Sequence, residues 1–266
     1  MKDFGFIGCG HMGSVLAEIA SADKRIKVCV SDADGARAEQ FAKKIKAEHM
    51  SNADIARECR FVVICVRPQD LEDLCAEIAP VLAQRTDVII ISIAVGVAVG
   101  RIRALLGLSG TPVIRMMPNT PLSVGKGVIL YCAENVSSEN ESVYKKTFGA
   151  AGNLYSIPEE LMDAAGCISG CGPAFVYRFI DAFAKAGVAS GLPEHLAFSL
   201  ALKTTEGAVK MAETSPLSPS ELCAQVCSKG GTTERGVSVI DAAGLDEIMK
   251  NAVDASYKRT LELKIK

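Results

Sequence analysis

The sequence predicts an α/β protein: an N-terminal doubly wound Rossmann-type sheet followed by a C-terminal all-α dimerisation domain. Three observations carry that reading. Short apolar runs alternate with helical patterns in the first part of the chain. A G-x-G-x-x-G turn joins the first run to the first helix. From Pro173 onward strand-like runs almost vanish and the apolar period becomes helical.

The elements follow in order. Phe4–Ile7 reads as a strand and Met12–Ala20 as the helix after it; Lys27–Val30 and Gly35–Lys46 repeat the pair. Phe61–Val66 and Val88–Ile93 are further strands with a helix over Leu71–Leu82 between them, and Val113–Met116 and Val128–Tyr131 extend the sheet. These runs are apolar without alternation, as expected where helices cover both faces of a parallel sheet. The pattern changes after Ile157, so domains are expected at 1–157 and 158–266. Phe175, Val176, Phe179, Ile180, Phe183, Ala184, Gly187 and Val188 then keep i, i+3, i+4 spacing. Pro173 suits the first turn of that helix, and Gly191 with Pro193 suits its end. A second helix over Pro193–Glu213 carries Ala197, Ala201, Gly207 and Ala208, and a last one begins near Leu245. Its wide apolar face suits a homodimer, or a higher oligomer built from dimers.

Composition removes several function classes. Hydrophobic residues at 49% and charged residues at 23% describe an ordinary globular chain. A net charge of -2 leaves no basic excess for nucleic acid, and Lys43, Lys44 and Lys46 read as a solvated helix face. No run reaches the roughly 20 apolar residues that span a bilayer, and Met1-Lys2-Asp3 leads straight into a strand, so no membrane role and a cytoplasmic location are expected. The ten cysteines form no C-x-x-C pair; Cys167 and Cys171, like Cys223 and Cys227, stand four apart. Only His11, His49 and His195 could join them, far apart in sequence, so reduced structural thiols and no metal are expected.

Gly8-Cys9-Gly10-His11-Met12-Gly13 follows a strand and opens a helix, the context in which G-x-G-x-x-G binds a dinucleotide. Gly8 permits the tight turn, Gly10 lets the pyrophosphate approach the backbone, and Gly13 lets the helix pack on the strand. Asp32, about 20 residues further on, is placed to bond the adenosine ribose and to repel a 2′-phosphate. Asp32 or Asp34 could instead cap the next helix, and Arg37 could accept a phosphate, so NADPH and NADH both stay open. Val66-Arg67-Pro68, Ala94-Val95-Gly96 and Met117–Pro121 fall at further strand ends, where such sheets bind ligands.

With Ser169–Phe175 and the Ser228-Lys229-Gly230-Gly231-Thr232-Thr233 turn added, the whole chain resembles the pyrroline-5-carboxylate reductases. The resemblance implies reduction of the cyclic imine 1-pyrroline-5-carboxylate to L-proline by NADPH or NADH. It places Ser228, Gly231, Thr232 and Thr233 on the substrate carboxylate, with Thr233 also near the imine nitrogen as the catalytic candidate. It places Asn119 and Thr120 in the loop beside the nicotinamide. Asn52, Ala94, Val95 and Gly96, with Val66, Arg67 and Pro68, match dinucleotide contacts, and the helical domain of one subunit is implied to complete its partner's site. Arg67 stands where the family usually has lysine, Cys171 where it has serine, and Asp32 is more acidic than the stretch common in NADPH-preferring members. A β-hydroxyacid dehydrogenase would need lysine where Val176 stands. The other open readings are a reductase of a related cyclic imine and a non-catalytic dinucleotide-binding regulator.

Overall fold

The computed structural model describes residues 2–264, which form two compact units: residues 2–170 with 257–264, and Cys171–Ser256. The first division falls later than the junction expected after residue 157, because the helix Met162–Ser169 packs on the sheet: a Cβ on its Gly166 would overlap the Met117 sulfur.

In the first unit, β1 (Lys2–Ile7), β2 (Val28–Ser31), β3 (Glu48–His49), β4 (Cys59–Ile64), β5 (Ile89–Ser92), β6 (Val113–Pro118), β7 (Gly127–Glu134) and β8 (Gly152–Ser156) form one sheet. Its order is β3-β2-β1-β4-β5-β6-β7-β8. Strands β1 to β6 run parallel, with Ile7 level with Ser31 and Ile64, and Ile64 level with Ser92. The helices are α1 (His11–Ala22), α2 (Gly35–Ile45), α3 (Asn52–Glu58), α4 (Leu71–Leu82), α5 (Val99–Leu106), α6 (Ser138–Phe148) and α7 (Met162–Ser169).

The strand runs are apolar throughout because successive side chains enter two different cores. Phe61 and Val63 join Phe4, Phe6, Leu16 and Ala38 under α1 and α2. Val62 and Ile64 join Ile55, Leu74, Ile78 and Ile102 under α3, α4 and α5. Phe4 and Phe61 stack with ring centroids 4.5 Å apart.

The sheet departs from an all-parallel arrangement at β7, which pairs antiparallel with β6. The intervening loop holds only the short 3-10 turn Thr120–Val124, and a link of that length reverses the chain; a parallel return needs a crossover of a dozen residues or more. Such a crossover follows through α6, and β8 accordingly lies parallel to β7.

The second unit is helical: α8 (Gly172–Ala189), α9 (Glu194–Thr214), α10 (Pro219–Val226), α11 (Thr232–Ala242) and the start of α12 (Leu245–Glu262). Pro173 lies in the first turn of α8, and Gly191 takes φ +95° in the turn before α9. Its only buried cluster among the described residues joins Ile180, Ala184 and Ala201. Phe179, Phe183, Phe198, Leu200, Val209 and Met211 are exposed. No helix of the described residues is long and apolar enough to cross a membrane.

Candidate active site

The strand order reverses between β1 and β4, and the carboxyl ends of those strands frame a crevice, as topology requires at such a switch point. A cavity of about 590 Å³ opens there, lined by Gly8, Gly10, Asp32, Arg37, Asn52, Val66 and Arg67 among others.

The glycine turn gives each glycine a separate task. Gly8 has φ +105°, and a Cβ there would lie 2.8 Å from the Cys65 carbonyl oxygen on the end of β4. A Cβ on buried Gly13 would overlap the Gly8 carbonyl oxygen, so α1 reaches the turn only with glycine in its first turn. Gly10 has ordinary backbone angles, and a Cβ there would meet nothing within 4 Å. The protein itself therefore does not need glycine at 10; the open space fits a pyrophosphate. Gly10 caps α1 without any side-chain hydrogen bond and no acidic residue sits in the first turn, so the helix N–H groups and dipole face that space. His11 is exposed there, Met12 is half-buried, and Cys9 is buried.

Asp32 holds this turn. Its Oδ2 accepts from the Cys9 N–H at 2.6 Å, and its Oδ1 accepts from the Asp34 N–H at 2.9 Å and from Arg37 Nη2 at 2.5 Å. Burial pushes the carboxyl upward, but the hydrogen bonds from Asp34, Arg37 and Cys9 outweigh it and hold Asp32 below its usual value. The helix cap is Asp34, which accepts from the Arg37 N–H at 3.0 Å, so the two aspartates divide the roles that sequence left open. Burial first, and the Asp32 charge second, push the Cys9 thiol up to about 11.

Asn52 is fixed at both ends of its amide: Oδ1 accepts from Ser31 Oγ at 2.6 Å, and Nδ2 donates to Glu77 at 2.8 Å. Arg67 pairs with Asp70 at 2.9 Å, and Pro68 starts the short 3-10 turn leading into α4. Sequence reasoning missed the far wall, made by Asp70, Asp73, Leu74 and Glu77. Their spacing is that of one helix face pointing at the crevice, a signal that the apolar stripe of α4 overshadowed.

Ala94, Val95 and Gly96 follow β5 on the same edge of the sheet without lining this cavity. Gly96 takes φ +76°, and its open side rests against the backbone of Thr260, Leu263 and Lys264. Lys264 in turn pairs with Asp163 at 2.9 Å, and Asp163 also pairs with the buried Arg115 of β6. Asn119 is buried; its Nδ2 donates to the Ser169 carbonyl at 2.9 Å and its Oδ1 accepts from the Val128 N–H at 2.8 Å. Its amide thus ties β6, β7 and the end of α7 together, while Thr120 beside it is exposed.

In the second unit, Ser228–Gly231 forms a closed turn, with the Gly231 N–H donating to the Ser228 carbonyl at 2.8 Å and Gly230 at φ +74°. Gly231 caps α11 with no side-chain hydrogen bond, and the Ser228 hydroxyl lies over Gly231. Thr232 and Thr233 open α11, so their N–H groups lack intrahelical partners. Glu234 reaches back to the Gly230 N–H at 2.7 Å, a contact not anticipated from the motif. Hydroxyls and free N–H groups at a helix start are groups of the kind that bind anions.

Two family models match: "Pyrroline-5-carboxylate reductase dimerisation" over residues 159–263 and "NADP oxidoreductase coenzyme F420-dependent" over residues 3–96. The pyrroline-5-carboxylate reductase of Pisum sativum is 34% identical across 97% of this chain and 95% of its own length. The crystal structure of the Plasmodium falciparum pyrroline carboxylate reductase, with NADP bound, superposes with a TM-score of 0.87 at 31% identity, covering 99% of this chain and 98% of that one. The solved structure of a Coxiella burnetii pyrroline-5-carboxylate reductase gives 0.89 at 28% identity, covering 100% of this chain and 99% of that one. Likeness at that identity runs through both units, and the chain belongs to the pyrroline-5-carboxylate reductase family.

Proposed function

We infer that this protein reduces 1-pyrroline-5-carboxylate to L-proline with NADPH or NADH. Family membership over the whole chain supports the reaction, and one observation carries the reading to the residues: the Gly10 space and the Ser228–Thr233 turn are both intact. When bound, the nicotinamide supplies the hydride that the imine carbon accepts. An imine is easily protonated and its cation already accepts hydride, so the protein's work is orientation and charge matching. Gly8–Gly13 holds the pyrophosphate, while Asp32, Asn52 and Val66-Arg67-Pro68 line the adenosine end. Ala94-Val95-Gly96 and the Asn119–Thr120 loop flank the nicotinamide end, with Asn119 shaping the loop through its own hydrogen bonds. Ser228, Gly231, Thr232 and Thr233 bind the substrate carboxylate, and the Thr233 hydroxyl orients the imine nitrogen.

The protein acts in the cytoplasm as a homodimer or an assembly of dimers, and residues from 158 onward supply the substrate and dimerisation part. The match of 159–263 to a dimerisation model supports this, as do exposed apolar side chains such as Phe179, Phe198 and Met211. The test is oxidation of NADH and of NADPH in the presence of 1-pyrroline-5-carboxylate; absence of turnover with both would sink the reading. Thr233→Ala is expected to lower kcat by on the order of tenfold or more while cofactor affinity stays near wild type. Unchanged kinetics would remove Thr233 from the site.

A further inference from the structure

We propose that the adenosine end of the crevice selects NADH over NADPH, with Asp32 as the specificity-determining residue and the α4 face as an acidic wall behind it. This rests on the reading above that the crevice holds a nicotinamide dinucleotide.

Asp32 cannot turn away from an arriving ribose. Its Oδ2 is bonded to the Cys9 N–H and its Oδ1 to the Asp34 N–H, so moving the carboxylate would release the glycine turn. The side chain is only 6% exposed. Oδ2 keeps a lone pair for a ribose hydroxyl, which is a donor; a 2′-phosphate offers negative charge in the same place.

The cations that could offset that charge are already matched. Arg37 and Arg67 are the arginines lining the cavity, and no lysine lines it. Arg37 is paired with Asp32 at 2.5 Å and Arg67 with Asp70 at 2.9 Å. Asp73 and Glu77 remain, so four carboxylates face two guanidinium groups and the lining carries a net charge of -2. A phosphate bearing about two further negative charges must either enter that field or break the Arg37–Asp32 pair. Only the fold reveals this balance, because α4 and the turn leading into it bring Asp70, Asp73 and Glu77 to a pocket whose other wall is Asp32.

The test is direct titration of the protein with NADH and NADPH, followed by nicotinamide fluorescence without substrate and then by kcat/KM. NADH is expected to bind on the order of tenfold more tightly, with the ratio shrinking as salt rises. Exposed Asp73→Asn and Glu77→Gln should each improve NADPH binding a few-fold relative to NADH, and these substitutions leave the glycine turn untouched. Asp32→Asn should narrow the ratio further. Equal affinities, or a selective loss of NADPH binding in Arg37→Ala, would overturn the proposal, since the second result would make Arg37 a phosphate ligand. Failure to bind either dinucleotide would overturn the prior reading instead.

Discussion

At the scale of single residues, the glycine turn separates needs of the fold from needs of the ligand. Gly8 and Gly13 are demanded by neighbouring backbone, whereas Gly10 faces open space. Gly10→Ala is therefore expected to keep the melting temperature of the wild type and to weaken dinucleotide binding on the order of tenfold or more. Calorimetric melting and a cofactor titration on the same sample check both halves. Gly13→Ala should do the reverse in kind, costing about 1–3 kcal/mol of stability through overpacking, as read from urea unfolding. Burial raises Cys9, Cys75 and Cys132 each to about 11, so iodoacetamide at neutral pH should leave them unlabelled until the protein unfolds. Fast labelling of Cys9 in the native protein would contradict that placement.

At the scale of elements, the loop between β6 and β7 depends on one amide. Asn119 binds Ser169 and Val128 from a buried position, so Asn119→Ala leaves the Val128 N–H without its partner. The expected cost is about 1–3 kcal/mol, with the greatest loss of amide-exchange protection in β7 and at the end of α7. Uniform loss of protection across the sheet would argue against a local role.

The long elements were legible in sequence. The stripe over Leu71–Leu82 and the strand Val113–Met116 needed only period and composition, because α4 buries an apolar stripe and β6 a run that is apolar apart from Arg115. Short or polar elements were not. β3 is Glu48–His49 with both residues exposed, and α6 buries only Tyr144, Thr147 and Phe148. Their pairing and packing come from neighbours in space, which a local window does not sample. The antiparallel β7 was hidden for the same reason: its apolar run fits either direction, and loop length decided the outcome.

At the scale of the whole molecule, the first unit carries a buried ionic group whose response to acid can be given a sign. Asp163 lies between Arg115 and Lys264. Burial raises its carboxyl, but hydrogen bonds and charge from Lys264 and Arg115 win, leaving it below its ordinary value. A carboxyl depressed on folding contributes stability above the unfolded value of about 3.9 and loses it as pH falls through the folded one. Stability should thus fall below about pH 4, and less steeply in Asp163→Asn, as measured by unfolding at stepped pH. With Ile180, Ala184 and Ala201 as the helical unit's buried cluster and many large apolar side chains exposed, a second copy of the chain is the cover proposed above. Sedimentation should return at least a dimer, and a monomer at micromolar concentration would contradict that assignment.

Sequence alone determined the alternation of strand and helix, the dinucleotide turn, the change to an all-helical pattern and the family resemblance. These rest on local spacing and on motifs that are contiguous in the chain. Only the tertiary structure decided which aspartate caps α2 and which holds the glycine turn, what Asn119 binds, and the direction of β7. It alone brought the acids of α4 opposite Asp32. Each of these depends on groups far apart in sequence that meet across the carboxyl edge of the sheet, where hydrogen-bond partners and net charge are set by distance in space.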